Sequence, residues 1–167
     1  VNGAAFDNNI LCIGEKEIFC VESVFEQLKN EMLRCQAVEL NREQIDALAK
    51  KAFGVDDVRN CAGARLSRDL VGRDAAVLAK AIGLDVPEST MLLIGETEFD
   101  HVFVMEEQMM PFVPIVRCRD ADHGIEMALK AERGFHHTSI IHSLNVATMS
   151  KMARLVDTTI FVKNGPS

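Results

Sequence analysis

No apolar run in this chain approaches the ~20 residues that a membrane-spanning helix needs, and its N-terminus does not read as a signal peptide. Cys-x-x-Cys and Cys-x-His spacings are missing, so there is no zinc framework and no metal site is expected. There is no P-loop and no Gly-x-Gly-x-x-Gly turn, so any nucleotide phosphates must be held mainly by other residues. Basic charge is in deficit, with 18 Lys and Arg against 25 Asp and Glu and a net charge of −7. That argues against a nucleic-acid surface, which needs a basic stripe. Internal repeats and low-complexity tracts are absent. The chain opens Val1-Asn2-Gly3 with no initiator Met, which leads us to expect an excised piece of a longer protein.

What is present describes a globular domain. At 167 residues, 48% apolar and 26% charged, the chain is large enough to bury a sizeable core as one domain. Its five cysteines, an odd number, suit a reducing cytosol. Cys20, Cys35 and Cys118 read as small buried hydrophobes. Cys61 lies in a polar stretch and is expected to be partly exposed, without a role.

Strand-like and helix-like patterns alternate along the chain. Ile18 to Val21 reads as a short strand. Ser23 with Glu26 forms a capping box for a helix whose apolar face is Val24, Phe25, Leu28, Met32 and Leu33. Asn41 with Gln44 caps a second helix, buried through Ile45, Leu48, Ala49 and Ala52 and ended by Gly54. Residues 54 to 73 read as an irregular excursion. A helix over 74–82, strands over 91–95 and 112–116, a helix over 121–132, a strand over 139–142, a helix over 146–156 started by Asn145 and a strand over 159–162 follow. Short apolar strands between amphipathic helices predict an α/β fold with a Rossmann-like, doubly covered, mostly parallel sheet.

The candidate chemistry begins at Phe6-Asp7-Asn8-Asn9-Ile10-Leu11-Cys12-Ile13-Gly14-Glu15-Lys16-Glu17. Cys12 falls between an Asn-rich turn and a Gly-Glu-Lys turn, just ahead of the first strand. A thiol on such a turn is open to substrate, and nearby peptide N–H groups stabilise a thiolate and a developing oxyanion. Lys16 could lower the thiol pKa by proximity or could equally be solvated. His136, His137 and His142 invite a Cys–His pairing, but a lone His is more often a surface or satisfied core residue. His142, in a strand-like run, reads as core; His137 is the better candidate for a loop near a site.

This segment resembles the nucleophile loop of the CoA-acylating aldehyde dehydrogenases, whose motif Phe-Asp-Asn-Asn-x-x-Cys-Ile-x-Glu-Lys-Glu carries the nucleophilic cysteine. Glu106-Glu107-Gln108-Met109-Met110-Pro111 and Phe112-Val113-Pro114-Ile115-Val116 resemble the superfamily's Glu-Glu-x-x-x-Pro segment. His137-Thr138-Ser139-Ile140-Ile141-His142-Ser143 and Thr159 through Pro166 resemble its later strands. The resemblance implies that Cys12 is the nucleophile and that Glu107 contacts the nicotinamide-side ribose of NAD. It implies oxidation of a short-chain aldehyde to an acyl-CoA, with coenzyme A as cosubstrate. Residues 1–167 would be the nucleophile-bearing catalytic domain, with the NAD-binding domain and the oxyanion Asn upstream and an oligomerisation segment downstream. It further implies a homo-oligomer in the cytoplasm, in some cases inside a bacterial microcompartment, with no membrane partner. Asn9-Ile10-Leu11-Cys12 departs from the Gly-Gln-x-Cys of the hydrolytic relatives, which favours the acylating subclass. Met109 stands where non-acylating relatives often carry a Phe against the nicotinamide.

Two other readings stand beside this one. A cysteine hydrolase or transferase independent of NAD would pair Cys12 with an imidazole. A non-catalytic fragment would serve as a folding or assembly module.

Overall fold

The computed structural model describes residues 1–166. Helix α1 (Asn2–Ala5) and a 3-10 turn (Phe6–Asn9) precede strand β1 (Ile18–Val21), helix α2 (Glu22–Arg34), strand β2 (Ala37–Glu39) and helix α3 (Arg42–Phe53). Next come α4 (Ala75–Ala81), β3 (Leu92–Glu96), α5 (Val102–Met105), β4 (Phe112–Cys118) and α6 (Ala121–Glu132). The last elements are β5 (Thr138–Ile141), α7 (Val146–Val156) and β6 (Ile160–Lys163).

Four strands form one parallel sheet in the order β1-β4-β3-β2. Both alternating sets of side chains on β3 and β4 are apolar, so both faces need cover. Leu93 and Phe112 pack beneath α3, α4 and α5 with Leu48, Leu78 and Phe103. Leu92, Ile94, Val113 and Ile115 pack against Phe25 and Met32 of α2 on the other face. The doubly covered α/β fold expected from the sequence is therefore present.

The expectation of a single sheet needs revision. β5 and β6 pair in parallel with each other, apart from the main sheet. They are backed by Ile125 of α6 and by Met152 and Val156 of α7, with Ile141 and Phe161 packed alongside.

Local signals fared unevenly. Asn41 and Gln44 exchange both bonds of the capping box, and Gly54 closes α3 with φ at 65°. Asn145 accepts from Thr148 N at 3.1 Å at the start of α7. The Ser23–Glu26 box does not form. β1 runs directly into α2, which starts at Glu22 with Val21 as an N-cap that offers no side-chain bond. Ser23 thus falls inside the first turn, and Glu26 pairs with Lys29 and Arg117.

The buried stripe of α2 is narrower than its apolar pattern. Phe25 and Met32 are buried, while Val24 and Leu33 are 47% and 37% exposed. Cys35, expected in the core, is exposed because it is the C-cap of α2, beyond that stripe. His142 is also exposed, one residue past β5, and does not pack in the core.

β2 and α5 had no legible signal, having three and four residues. α5 is capped by His101, whose Nδ1 accepts from Phe103 N at 3.2 Å, rather than by one of the usual capping residues.

Gly95 lies on β3 where α3 approaches the sheet most closely. A Cβ there would meet Ile45 Cδ1 and, at 3.0 Å, the Leu40 carbonyl oxygen. Gly95→Ala is expected to cost about 1–3 kcal/mol by overpacking. Adding Ile45→Val, which removes the nearer atom, should recover part of it. Denaturant midpoints of the single and double variants measure both effects.

Candidate active site

The turn that carries Cys12 is built from residues suited to an uncommon backbone. Asp7, Asn8 and Asn9 have φ of 48°, 51° and 60°, three successive left-handed residues. Asp and Asn tolerate this region better than other residues with a side chain. The Asp-Asn-Asn run is therefore a conformational requirement of the turn.

Asn9 is fully buried and closes the loop from inside. Its Nδ2 donates to the carbonyls of Ala4 and Glu15, both at 2.8 Å. Asn8 Nδ2 donates to Gly72 O at 3.0 Å and Asp74 Oδ1 at 2.8 Å, fastening the outside of the turn to the segment before α4. Gly72 has φ at 65°, and Ile10 Cδ1 fills the space a Cβ would need. Gly14 N then donates to Leu11 O at 3.1 Å, which places Cys12 within a tight turn, exposed.

Glu107 reaches the same region from the segment that enters β4. Lys16 Nζ is 3.5 Å from Glu107 Oε1, with side chains 13% and 48% exposed respectively. The next residue, Gln108, is fully buried. It donates to Lys16 O at 2.6 Å and to Phe112 O at 2.9 Å. Met109, in a left-handed conformation, accepts from Gly72 N at 3.0 Å.

Of the two sequence readings of Lys16, solvation is the one the structure removes. Burial lowers its pKa, and the charges of Glu107 and Cys12 oppose that fall. Lys16 thus lies within electrostatic reach of both Cys12 and Glu107.

Competing thiols are less favoured. Burial raises the pKa of Cys20 and Cys61, and pushes Cys118 up to about 11. Exposed Cys35 sits at the C-terminal end of α2, away from the Asn-rich turn.

Two of the three candidate histidines have partners of their own. His136 Nδ1 lies 2.9 Å from Asp157 O, and His137 Nδ1 lies 2.7 Å from Thr138 Oγ1. Among the described residues no imidazole makes a hydrogen bond to Cys12, and no group of His, Cys, Asp and Glu could hold a metal.

Sequence reasoning did not find Asn8, Asn9, Gly72 or Gln108 as parts of this site. The Asp-Asn-Asn run was a signal for the first two. Gly72 and Gln108 had none, because the bonds that tie them to the thiol-bearing segment reach Asn8 and Lys16, more than 60 residues away.

No family model matches the chain. An acetylating acetaldehyde dehydrogenase of Bilophila wadsworthia is 48% identical over 168 residues, covering 99% of this chain and 35% of its own length. A propionaldehyde dehydrogenase of Rhodopseudomonas palustris with bound propionyl-CoA superposes with a TM-score of 0.91 at 36% identity, over 99% of this chain and 35% of that one. The same enzyme has been solved with CoA and an acylated cysteine. A propionaldehyde dehydrogenase from the Clostridium phytofermentans fucose utilisation bacterial microcompartment superposes with a TM-score of 0.88 at 37% identity, over 99% of this chain and 36% of that one.

The fold is that of the acylating aldehyde dehydrogenase structures. Over its whole length the chain is similar to acylating acetaldehyde and propionaldehyde dehydrogenases. It spans about a third of the length of the relatives it matches.

Glu17 follows Lys16 and is partly buried. Burial pushes its pKa up to about 7; Glu107 acts in the same direction and Lys16 against it. A raised carboxyl pKa means that the folded state holds the proton more tightly than the unfolded state. Stability is therefore lost as pH rises from 4.5 through about 7. Glu17→Gln should raise the melting temperature at pH 8.5 and change it little at pH 4.5. The gain at high pH has an upper bound of about 3 kcal/mol. Thermal melts of both proteins at the two pH values check the difference.

Proposed function

We propose that this chain is the nucleophile-bearing catalytic domain of an enzyme that oxidises a short-chain aldehyde to an acyl-CoA. The observation that carries the reading is an exposed Cys12 on a hydrogen-bonded turn, within electrostatic reach of a Lys16 that pairs with Glu107. Cys12 attacks the aldehyde carbonyl to form a thiohemiacetal, and its peptide N–H is the local donor to the oxyanion. NAD, when bound, accepts the two electrons and the aldehyde hydrogen, leaving a thioester on Cys12. The CoA thiol then attacks that thioester, releasing acyl-CoA and returning the Cys12 thiolate. CoA arrives as a thiol that ionises far more readily than water, so this step needs no dedicated general base.

Glu107 fits a role at the cofactor ribose. It is a half-exposed carboxylate that can accept from Lys16 and still present an oxygen outward to hydroxyl groups. The rest of the nucleotide site and the second oxyanion donor belong to residues outside this chain. The engaged histidines weigh against a Cys–His hydrolase. No helix among the described residues is long and apolar enough to cross a membrane. The microcompartment named for the Clostridium relative supports encapsulation in a cytoplasmic organelle as part of the reading. Assembly into a homo-oligomer is part of it too.

In the full-length enzyme, limiting iodoacetamide should label Cys12 faster than Cys20, Cys35, Cys61 or Cys118, as read by peptide mass mapping. Preferential labelling of another thiol would remove the nucleophile assignment. Cys12→Ser should abolish acyl-CoA formation and leave NAD binding largely intact. Glu107→Gln should slow single-turnover NADH formation more than thioester breakdown, since a misplacement of about 1 Å can cost on the order of 10²-fold.

A further inference from the structure

Lys16 occupies a seat made for its ammonium. Nζ lies 2.7 Å from Asn9 O and 2.5 Å from Asn9 Oδ1, and its next oxygen is Glu107 Oε1 at 3.5 Å. An ammonium has three protons to donate. Two go to Asn9 and the third faces Glu107.

Neither end of this bridge is loose. The Asn9 amide is fixed by Ala4 and Glu15. The backbone beside Glu107 is fixed through Gln108, whose side chain holds the Lys16 carbonyl. Exposed Lys–Glu pairs contribute little. This lysine is largely buried, however, so loss of its partners would leave a poorly compensated charge.

We propose that Lys16 is the positioning residue for Glu107: seated on Asn9 of the thiol turn, it aims that carboxylate at the bound ribose. The proposal rests on the reading of Glu107 as the ribose contact. One side chain then links the turn that presents the thiol to the group that orients the nicotinamide. The relative placement of thiol and nicotinamide follows from a single short chain of contacts.

The test uses the full-length enzyme with Lys16→Met, Glu107→Gln and the double variant. Single-turnover NADH formation is compared with acylation of Cys12 by p-nitrophenyl acetate, which needs no nucleotide. Each single variant should slow NADH formation by on the order of 10-fold to 10²-fold. The double variant should be no slower than the slower single, because both changes disable one device. Lys16→Met should slow the ester reaction by a few-fold at most. Losses that multiply in the double variant, or an equal loss in the ester reaction, would overturn the proposal and leave Lys16 a support of the turn alone. Normal NADH formation by Lys16→Met beside a slow Glu107→Gln would overturn the role of Lys16 while keeping that of Glu107. Normal rates in both single variants would remove the ribose reading, and this proposal with it.

Discussion

The buried amide of Asn9 is the interaction on which the site depends. Three consecutive left-handed residues would not hold a turn by themselves, since each such residue costs free energy relative to extended or helical backbone. Asn9 offsets that cost by donating to two carbonyls, those of Ala4 and Glu15. Its remaining oxygens receive Lys16. Leaving any of these buried groups without a partner would cost about 1–3 kcal/mol. The turn is therefore rigid although the thiol at its tip is open to solvent.

Sheet topology explains why Glu107 comes to that turn. β1 and β4 are neighbours and parallel, with Ile18 opposite Ile115. The segments that enter them must then lie side by side at one end of the strands. One such segment carries Cys12 and Lys16, and the other carries Glu107 and Gln108. Strands adjacent in space but about 90 residues apart in sequence make this possible. The bond from Gln108 to the Lys16 carbonyl fastens the two entering segments at their closest approach.

The opposite end of the strands is held by different means. Arg117, at the far end of β4, donates to both oxygens of Glu96, pairs with Glu26 and lies 3.7 Å over the ring of Phe25. That cluster joins β4, β3 and α2, and it accounts for the fate of Glu26, which the sequence suggested as half of a helix cap. The carboxylate found a guanidinium across the fold rather than a peptide N–H within its own turn, because β1 leads into α2 without an intervening turn.

Much was determined by the sequence alone. Residue periodicity located the long helices and the buried strands, since 3.6-residue and two-residue repeats depend on local geometry. Asn41, Gly54 and Asn145 marked helix ends because capping involves atoms within a few residues. The motif around Cys12 and the Glu-Glu segment pointed to the family because they are contiguous in the chain. Tertiary structure alone decided that α2 would bury only Phe25 and Met32, that β5 and β6 would form their own sheet, and that Cys35 and His142 would face solvent. It also decided that Lys16 would be neither solvated nor merely close to Cys12, but seated between Asn9 and Glu107. These outcomes depend on which surfaces meet in three dimensions, and tertiary contacts leave no trace in local pattern.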